Sequence, residues 1–127
     1  MATMQVQLVA PDRMVWSGEA EIVIARTVDG ELGILPRHAP LLGVLVEYPL
    51  TIRRTGEDAL VAAVHGGFLS VSSEGVDVLA EIVELAEEID VPRARQALER
   101  SKDGESDEDK AATRRATARL RAAGESV

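Results

Sequence analysis

The sequence predicts a mainly β protein with an α-helical tail: about ten short strands packed as a β-sandwich, then a C-terminal α-helical hairpin. Three observations carry that expectation. From Met4 to about Leu85 the chain is a series of short β-rich runs divided by turn residues, too closely spaced to leave room for crossover helices. Several runs are apolar on both faces, which favours two sheets packed together over one sheet facing water. After Glu88 alanine, arginine and glutamate replace valine and threonine, and the apolar period becomes helical.

The runs are "MQVQLVA", "RMVWSG", "AEIVIART", "ELGIL", "LGVLVE", "LTIRRT", "ALVAAVHG", "FLSVSS" and "GVDVLAEIVEL". Alternation is plain in the first, where Val6, Leu8 and Ala10 oppose Gln5, Gln7 and Val9, and in the last, where Val76, Val78 and Ala80 oppose Asp77, Leu79 and Glu81. Breakers fall between runs at Pro11-Asp12, Asp29-Gly30, Thr55 to Asp58 and Ser73 to Gly75. The stretch "GELGILPRHAPLL" at 30–42 joins two glycines and two prolines, which write a turn between strands. Leu35, Leu41 and Leu42 within it are candidate core residues.

Past the strands, Asp90 is a candidate N-cap, Pro92 suits a first turn, and Val91, Ala94 and Leu98 share one helical face. "KDGESDED" ends that helix. Ser106 or Asp107 then caps a second helix over about 108–123, whose apolar face is Ala112, Ala116, Leu120 and Ala123. One leucine among alanines buries little area at about 25 cal/mol per Å², so the hairpin is expected to be weakly held and able to move. The division expected is residues 1–87 for the sandwich and 88–127 for the hairpin.

Composition narrows the function classes. The chain has 127 residues, 46% of them hydrophobic, and no cysteine, which leaves out disulfides and thiolate metal sites. Its start does not read as a signal peptide, and its longest apolar run, Leu41 to Val46, is far shorter than the roughly 20 residues of a spanning helix. The net charge is −8 and unevenly spread. Residues 1–88 hold 14 acidic and 5 basic side chains, whereas 91–102 carry +3, 103–109 carry −5 and 110–127 carry +4. An acidic body with three aromatic residues, Trp16, Tyr48 and Phe68, does not suit nucleic acid. Nucleophile elbow, P-loop and HExxH are all missing, so no catalytic residues are assigned. His38 and His65, without ligand spacing, read as a loop histidine and a strand-end histidine, and no metal is assigned.

Three strings in order, "GELGILPRHAPLL", "HGGFLSVSSEGVDVLAE" at 65–81 and "IDVPRARQAL" at 89–98, resemble the epsilon subunits of bacterial rotary F-type ATP synthases, whose mitochondrial counterparts are called delta. The resemblance runs over almost the whole chain. It implies a flattened ten-stranded β-sandwich followed by a C-terminal α-helical hairpin, in a non-catalytic central-stalk subunit that links the gamma shaft to the c-ring. It implies a peripheral place on the cytoplasmic face of the bacterial plasma membrane, reached only through partners, and a tail able to regulate ATP hydrolysis and to contact the alpha and beta subunits.

The resemblance also implies sites. Glu31 and His38 would be polar contacts of a foot that touches the c-ring; the competing reading is that both are simply wetted loop residues. "IDVPRA" matches the I/L-D-x-x-R-A motif that binds ATP in some members, which makes Ile89, Asp90, Arg93 and Ala94 candidates. Asp90 can accept from an adenine amino group or a ribose hydroxyl, Arg93 can meet phosphate, and Ala94 lets the base approach. Further along, the resemblance points to Glu84, Arg100, Arg115 and Arg119, the last two on one face at i, i+4. The same letters also fit a capped helix with a locally paired arginine and no nucleotide. No cofactor is required under either reading; ATP would be a regulatory ligand. From a different class, the alternative function is a stand-alone nucleotide-sensing module, and a solitary hydrolase is a third.

Overall fold

The structure is a computed structural model and describes residues 2–127. Seven strands form the body: β1 (Met4–Ala10), β2 (Arg13–Thr27), β3 (Gly30–Ile34), β4 (Leu41–Val44), β5 (Tyr48–Arg54), β6 (Leu60–Ser72) and β7 (Gly75–Leu85). A 3-10 turn at Ala86–Glu88 leads to α1 (Val91–Ser101) and α2 (Asp107–Ala122). Neither helix is long and apolar enough to cross a membrane.

The strand order β1-β7-β6-β5-β2-β3 is closed by a β1–β2 pairing, and β4 pairs with β6. Only β1–β7 is parallel; the other pairs are antiparallel. Inward residues from both layers, among them Val6, Leu8, Val23, Ile34, Ile52, Leu69 and Val78, are fully buried in one core. The alternation seen in the first and last runs is the inward and outward alternation of β1 and β7.

About ten strands were expected and seven are found; the nine runs reduce to seven because two glycine-containing junctions bend a strand without ending it. β2 runs through Gly18 and changes partner from β1 to β5, with an irregularity between Ala20 and Ile22. β6 runs through Gly66 and Gly67, whose φ values of 78° and 119° fall where only glycine is at ease. Its register with β7 is the same on both sides of them, from His65↔Ile82 to Gly67↔Ala80, while its other partner changes from β5 to β4. Each long strand therefore serves both layers.

Asp90 caps α1 as expected, its carboxylate accepting from the Arg93 amide at 3.1 Å, with Pro92 in the first turn. Ser106, not Asp107, caps α2, accepting from the Asp109 amide at 3.0 Å. The hairpin is closed by a hydroxyl pair, Ser101 and Thr113 at 2.8 Å, and by Arg95 donating to Glu125 at 2.8 Å. Its buried face differs from the expected one. Ala116 and Leu120 are buried as expected, but Ala118 and Ala122 are buried in place of the half-exposed Ala112 and Ala123. The reason is that α2 packs on two surfaces at once, α1 and the outer face of the sandwich, where Ala118 and Ala122 meet Ala63, Val61 and Ile89. That cluster is small, and the hairpin lies down on the sandwich with charged and aromatic contacts around it.

Candidate functional site

Where β7 ends and the hairpin begins, a cleft of about 520 Å³ opens between β7, α1 and α2. Its walls are Glu84 and Glu88 from the end of the sandwich, Asp90, Arg93, Ala94, Ala97 and Arg100 from the start and one face of α1, and Arg115 and Arg119 from α2. Volumes of about 300–1,000 Å³ are usual for small-molecule sites. Four guanidinium groups converge against three carboxylates, so the cleft favours an anion.

Each wall residue has a local reason for its place. Capping uses Asp90 Oδ1, so Asp90 is fixed at the mouth of α1. Helical spacing then sets Arg93, Ala97 and Arg100 along one side, with Ala94 buried beneath. Arg115 and Arg119, one turn apart, face them from α2. Arg93 and Arg100 form no ion pair among the described residues, while Arg115 donates to the exposed Glu108 at 2.9 Å. Arg119 is the anchored one: its Nε donates to Glu84 Oε1 at 2.7 Å. The same oxygen accepts from His65 Nε2 at 2.8 Å. The His65 hydrogen bond above all, followed by Arg119, holds the Glu84 carboxyl below its ordinary range against the opposing effect of partial burial.

The structure thus brings together Glu84, Asp90, Arg93, Ala94, Arg100, Arg115 and Arg119 from the expected set. Ile89 is elsewhere: its side chain packs in the apolar cluster under α2, pinning the start of α1 to the sandwich. Glu88 and Ala97 line the cleft and were not expected there, and His65 stands behind it, bonded to Glu84. Helical spacing from Arg93 is the sequence signal that finds Ala97. Read as a strand-end histidine, His65 lies instead within β6, just before its bend.

Glu31 and His38 do not form one cluster. Glu31 is on a strand rather than in a loop: it is the second residue of β3, opposite Arg26. His38 lies past the other end of β3, in a turn where its amide donates to the Leu35 carbonyl at 3.1 Å and its Nδ1 lies 2.7 Å from the Ala39 carbonyl. Gly30 and Gly33 both lie within β3, opposite Thr27 and Ile24, so the turn is confined to 35–38. Leu35 and Leu42 are exposed, and only Leu41 packs against the core.

A second feature is an unpartnered apolar row on the outer face. Reading across the registers, Val44 of β4 is opposite Phe68 of β6, Phe68 is opposite Leu79 of β7, Leu79 is beside Val9 of β1, and Val9 is opposite Met14 of β2. Val44, Phe68, Leu79 and Met14 are each about half exposed, and Leu42, next outward-facing residue along β4 from Val44, is 72% exposed. The adjoining row, Ser70, Asp77, Gln7 and Ser17, is polar.

Comparisons with known proteins agree with this fold. The family model "ATP synthase, Delta/Epsilon chain, beta-sandwich domain" matches residues 3–86. A Streptomyces griseus ATP synthase epsilon chain is 56% identical over 121 residues, which is 95% of each chain. The Mycobacterium avium ATP synthase epsilon chain is 50% identical over 125 residues, 98% of each. Among solved structures, a chain of the Euglena gracilis mitochondrial ATP synthase has a TM-score of 0.76 at 24% identity, covering 94% of this chain and 76% of that one. A chain of the Tetrahymena thermophila central stalk and c-ring assembly has a TM-score of 0.65 at 21% identity, covering 97% and 96%. Those two likenesses bear on the fold alone. With its strand domain matched from end to end and relatives at least half identical over nearly their whole length, the chain belongs to the ATP synthase delta/epsilon family.

Proposed function

We propose that the chain is a non-catalytic rotor subunit of a bacterial F-type ATP synthase, linking the gamma shaft to the c-ring at the cytoplasmic face of the membrane. The apolar row Val44, Phe68, Leu79, Val9 and Met14 carries this reading. A contiguous apolar strip on an otherwise acidic body marks a protein–protein contact, and the gamma shaft is the partner the family supplies. Glu31 and His38, at opposite ends of β3, are the polar contacts proposed for the c-ring. The test is assembly. Phe68→Asp with Leu79→Asp, both on the outer face, is expected to leave the isolated chain folded and to abolish its co-purification with the synthase. Normal assembly of that variant would refute the assignment of the row. Replacing Glu31 and His38 by alanine is expected to shift stability by no more than about 0.5 kcal/mol while impairing proton-driven ATP synthesis.

The cleft supports a regulatory ligand, ATP, bound while the hairpin lies on the sandwich. Phosphates would meet Arg93, Arg100, Arg115 and Arg119, and the second oxygen of Asp90 would take an adenine amino or ribose hydroxyl hydrogen. Because α1 and α2 supply two arginines each, a hairpin that opens as it leaves the sandwich would split the site, and ATP would favour the lowered, closed position by that difference in affinity. Titration calorimetry of the full chain with ATP checks this: binding is expected, and Arg93→Ala is expected to weaken it about tenfold or more. The stand-alone nucleotide-sensing alternative would require the same affinity with no association with a synthase, so co-purification separates the two.

A further inference from the structure

We propose that His65 is a positioning residue for this cleft: through Glu84 it fixes the guanidinium of Arg119, so that a buried histidine on the sheet face beneath the hairpin sets both the anion site and the seating of the hairpin. The inference rests on the nucleotide reading above for its ligand, but its geometry stands without one.

His65 lies in β6 and Glu84 in β7, diagonal neighbours across the Ala63↔Glu84 and His65↔Ile82 pairs. The His65 side chain is only 3% exposed. Its Nε2 donates to Glu84 Oε1, and Nδ1 is the one buried side-chain polar atom without a partner among the described residues. A buried polar ring with half its hydrogen-bonding capacity unused is costlier than an aliphatic side chain of similar size. What the histidine supplies here is therefore its bond to Glu84.

That bond matters because Glu84 reaches across to the hairpin. A carboxylate on a strand has two rotatable bonds before its carboxyl group and would sweep an arc; the buried donor at 2.8 Å confines it. The confined oxygen then takes Arg119 Nε at 2.7 Å. With Nε occupied, the two terminal nitrogens of Arg119 form no hydrogen bond among the described residues and are the edge offered to the cleft. One oxygen thus orients an arginine of α2 from the sheet face beneath it, and its lowered affinity for protons, due first to His65, keeps it charged for that task.

The test uses the full chain, with ATP as the probe, in His65→Gln and His65→Asn. The glutamine amide nitrogen reaches close to where Nε2 lies, whereas the asparagine nitrogen falls short, near Nδ1. His65→Gln is expected to bind ATP within about threefold of the unaltered chain and His65→Asn about tenfold more weakly, with melting temperatures alike in the two variants. Amide hydrogen exchange in 107–122 without nucleotide is expected to quicken in His65→Asn and not in His65→Gln. In a Glu84→Gln background, His65→Asn is expected to add nothing to either measurement, which a merely structural histidine would not show. Should the unaltered chain bind no ATP, the nucleotide reading fails, and the exchange pattern alone decides for or against the positioning role. If His65→Asn does not fold, Glu84→Gln alone is read, and unchanged exchange in α2 overturns the proposal. Equal ATP affinity and equal exchange in all variants overturn it as well.

Discussion

Arg121 of α2 lies over the ring of Tyr48 on β5, with the guanidinium carbon 5.5 Å from the ring centroid. Arg26 of β2 approaches the same ring at 4.3 Å, so one aromatic side chain gathers a cation from the sandwich and a cation from the hairpin. Next to it, Arg114 reaches Glu47 at 3.5 Å. Together with Arg119 on Glu84, these contacts seat α2 on the sandwich where apolar burial is sparse.

Replacing Tyr48 by leucine keeps the apolar body and removes the π face. Exposed cation–π contacts are worth about 0.5–1 kcal/mol each. Amide exchange in α2 is expected to rise about three- to fivefold, with protection of β6 unchanged. Equal protection of α2 in both proteins would show that Tyr48 does not hold the hairpin.

Acid should weaken one hairpin contact in a definite direction. Glu84 has its carboxyl held below the ordinary 4.5, chiefly by the His65 hydrogen bond, so the unfolded chain takes up the proton more readily than the folded one. The stability this supplies is fully present above the unfolded value and is lost as pH falls through the lower folded value. In thermal unfolding, the advantage of the unaltered protein over Glu84→Gln is expected to shrink as pH drops below 4.5. An advantage that persists undiminished to about pH 2, below any usual carboxylate value, would contradict it.

Gly67 admits no side chain. A Cβ there would lie 2.1 Å from the Leu79 carbonyl oxygen, and φ is already +119°. Gly67→Ala is expected to cost about 3 kcal/mol or more in urea unfolding of the full chain. Gly56→Ala, with φ +74° in open space, is the comparison and is expected to cost about 1 kcal/mol.

The sandwich is expected to fold alone. Its core draws on β1 to β7 with no hairpin residue, and removing the hairpin uncovers an outer patch of Ala63 and Val61 bordered by Glu47, Tyr48 and Glu84. A chain ending at Ala86 should show a cooperative thermal transition and a β-type circular dichroism spectrum; a featureless coil spectrum would refute the division at the end of β7.

Much of this architecture was legible because strand alternation and helix caps are local. Val6, Leu8 and Ala10 face inward as their spacing requires, and Asp90 caps α1 as its position before Pro92 suggests. Gly18 and the pair Gly66-Gly67 misled because glycine marks a bend as readily as an end, and only the sheet shows which. The apolar row was illegible for another reason: Val44, Phe68, Leu79, Val9 and Met14 become neighbours only through registers of five strands. In the cleft, i, i+4 spacing put Arg115 and Arg119 on one face but not opposite Arg93; the family resemblance supplied that. His65 carried no signal, since its partner is 19 positions away.

The two long strands have a mechanical consequence. β2 and β6 pass unbroken from one layer into the other, and β1 locks β2 to β7. Separating the layers would mean stretching covalent backbone, not merely sliding apolar surfaces past each other. A twisting load entering through the outer face is borne in tension along the chain and in shear across many ladder bonds at once. A body so constrained yields little before it moves as a whole, so torque leaves it nearly undiminished, and compliance is confined to the hairpin that rests upon it.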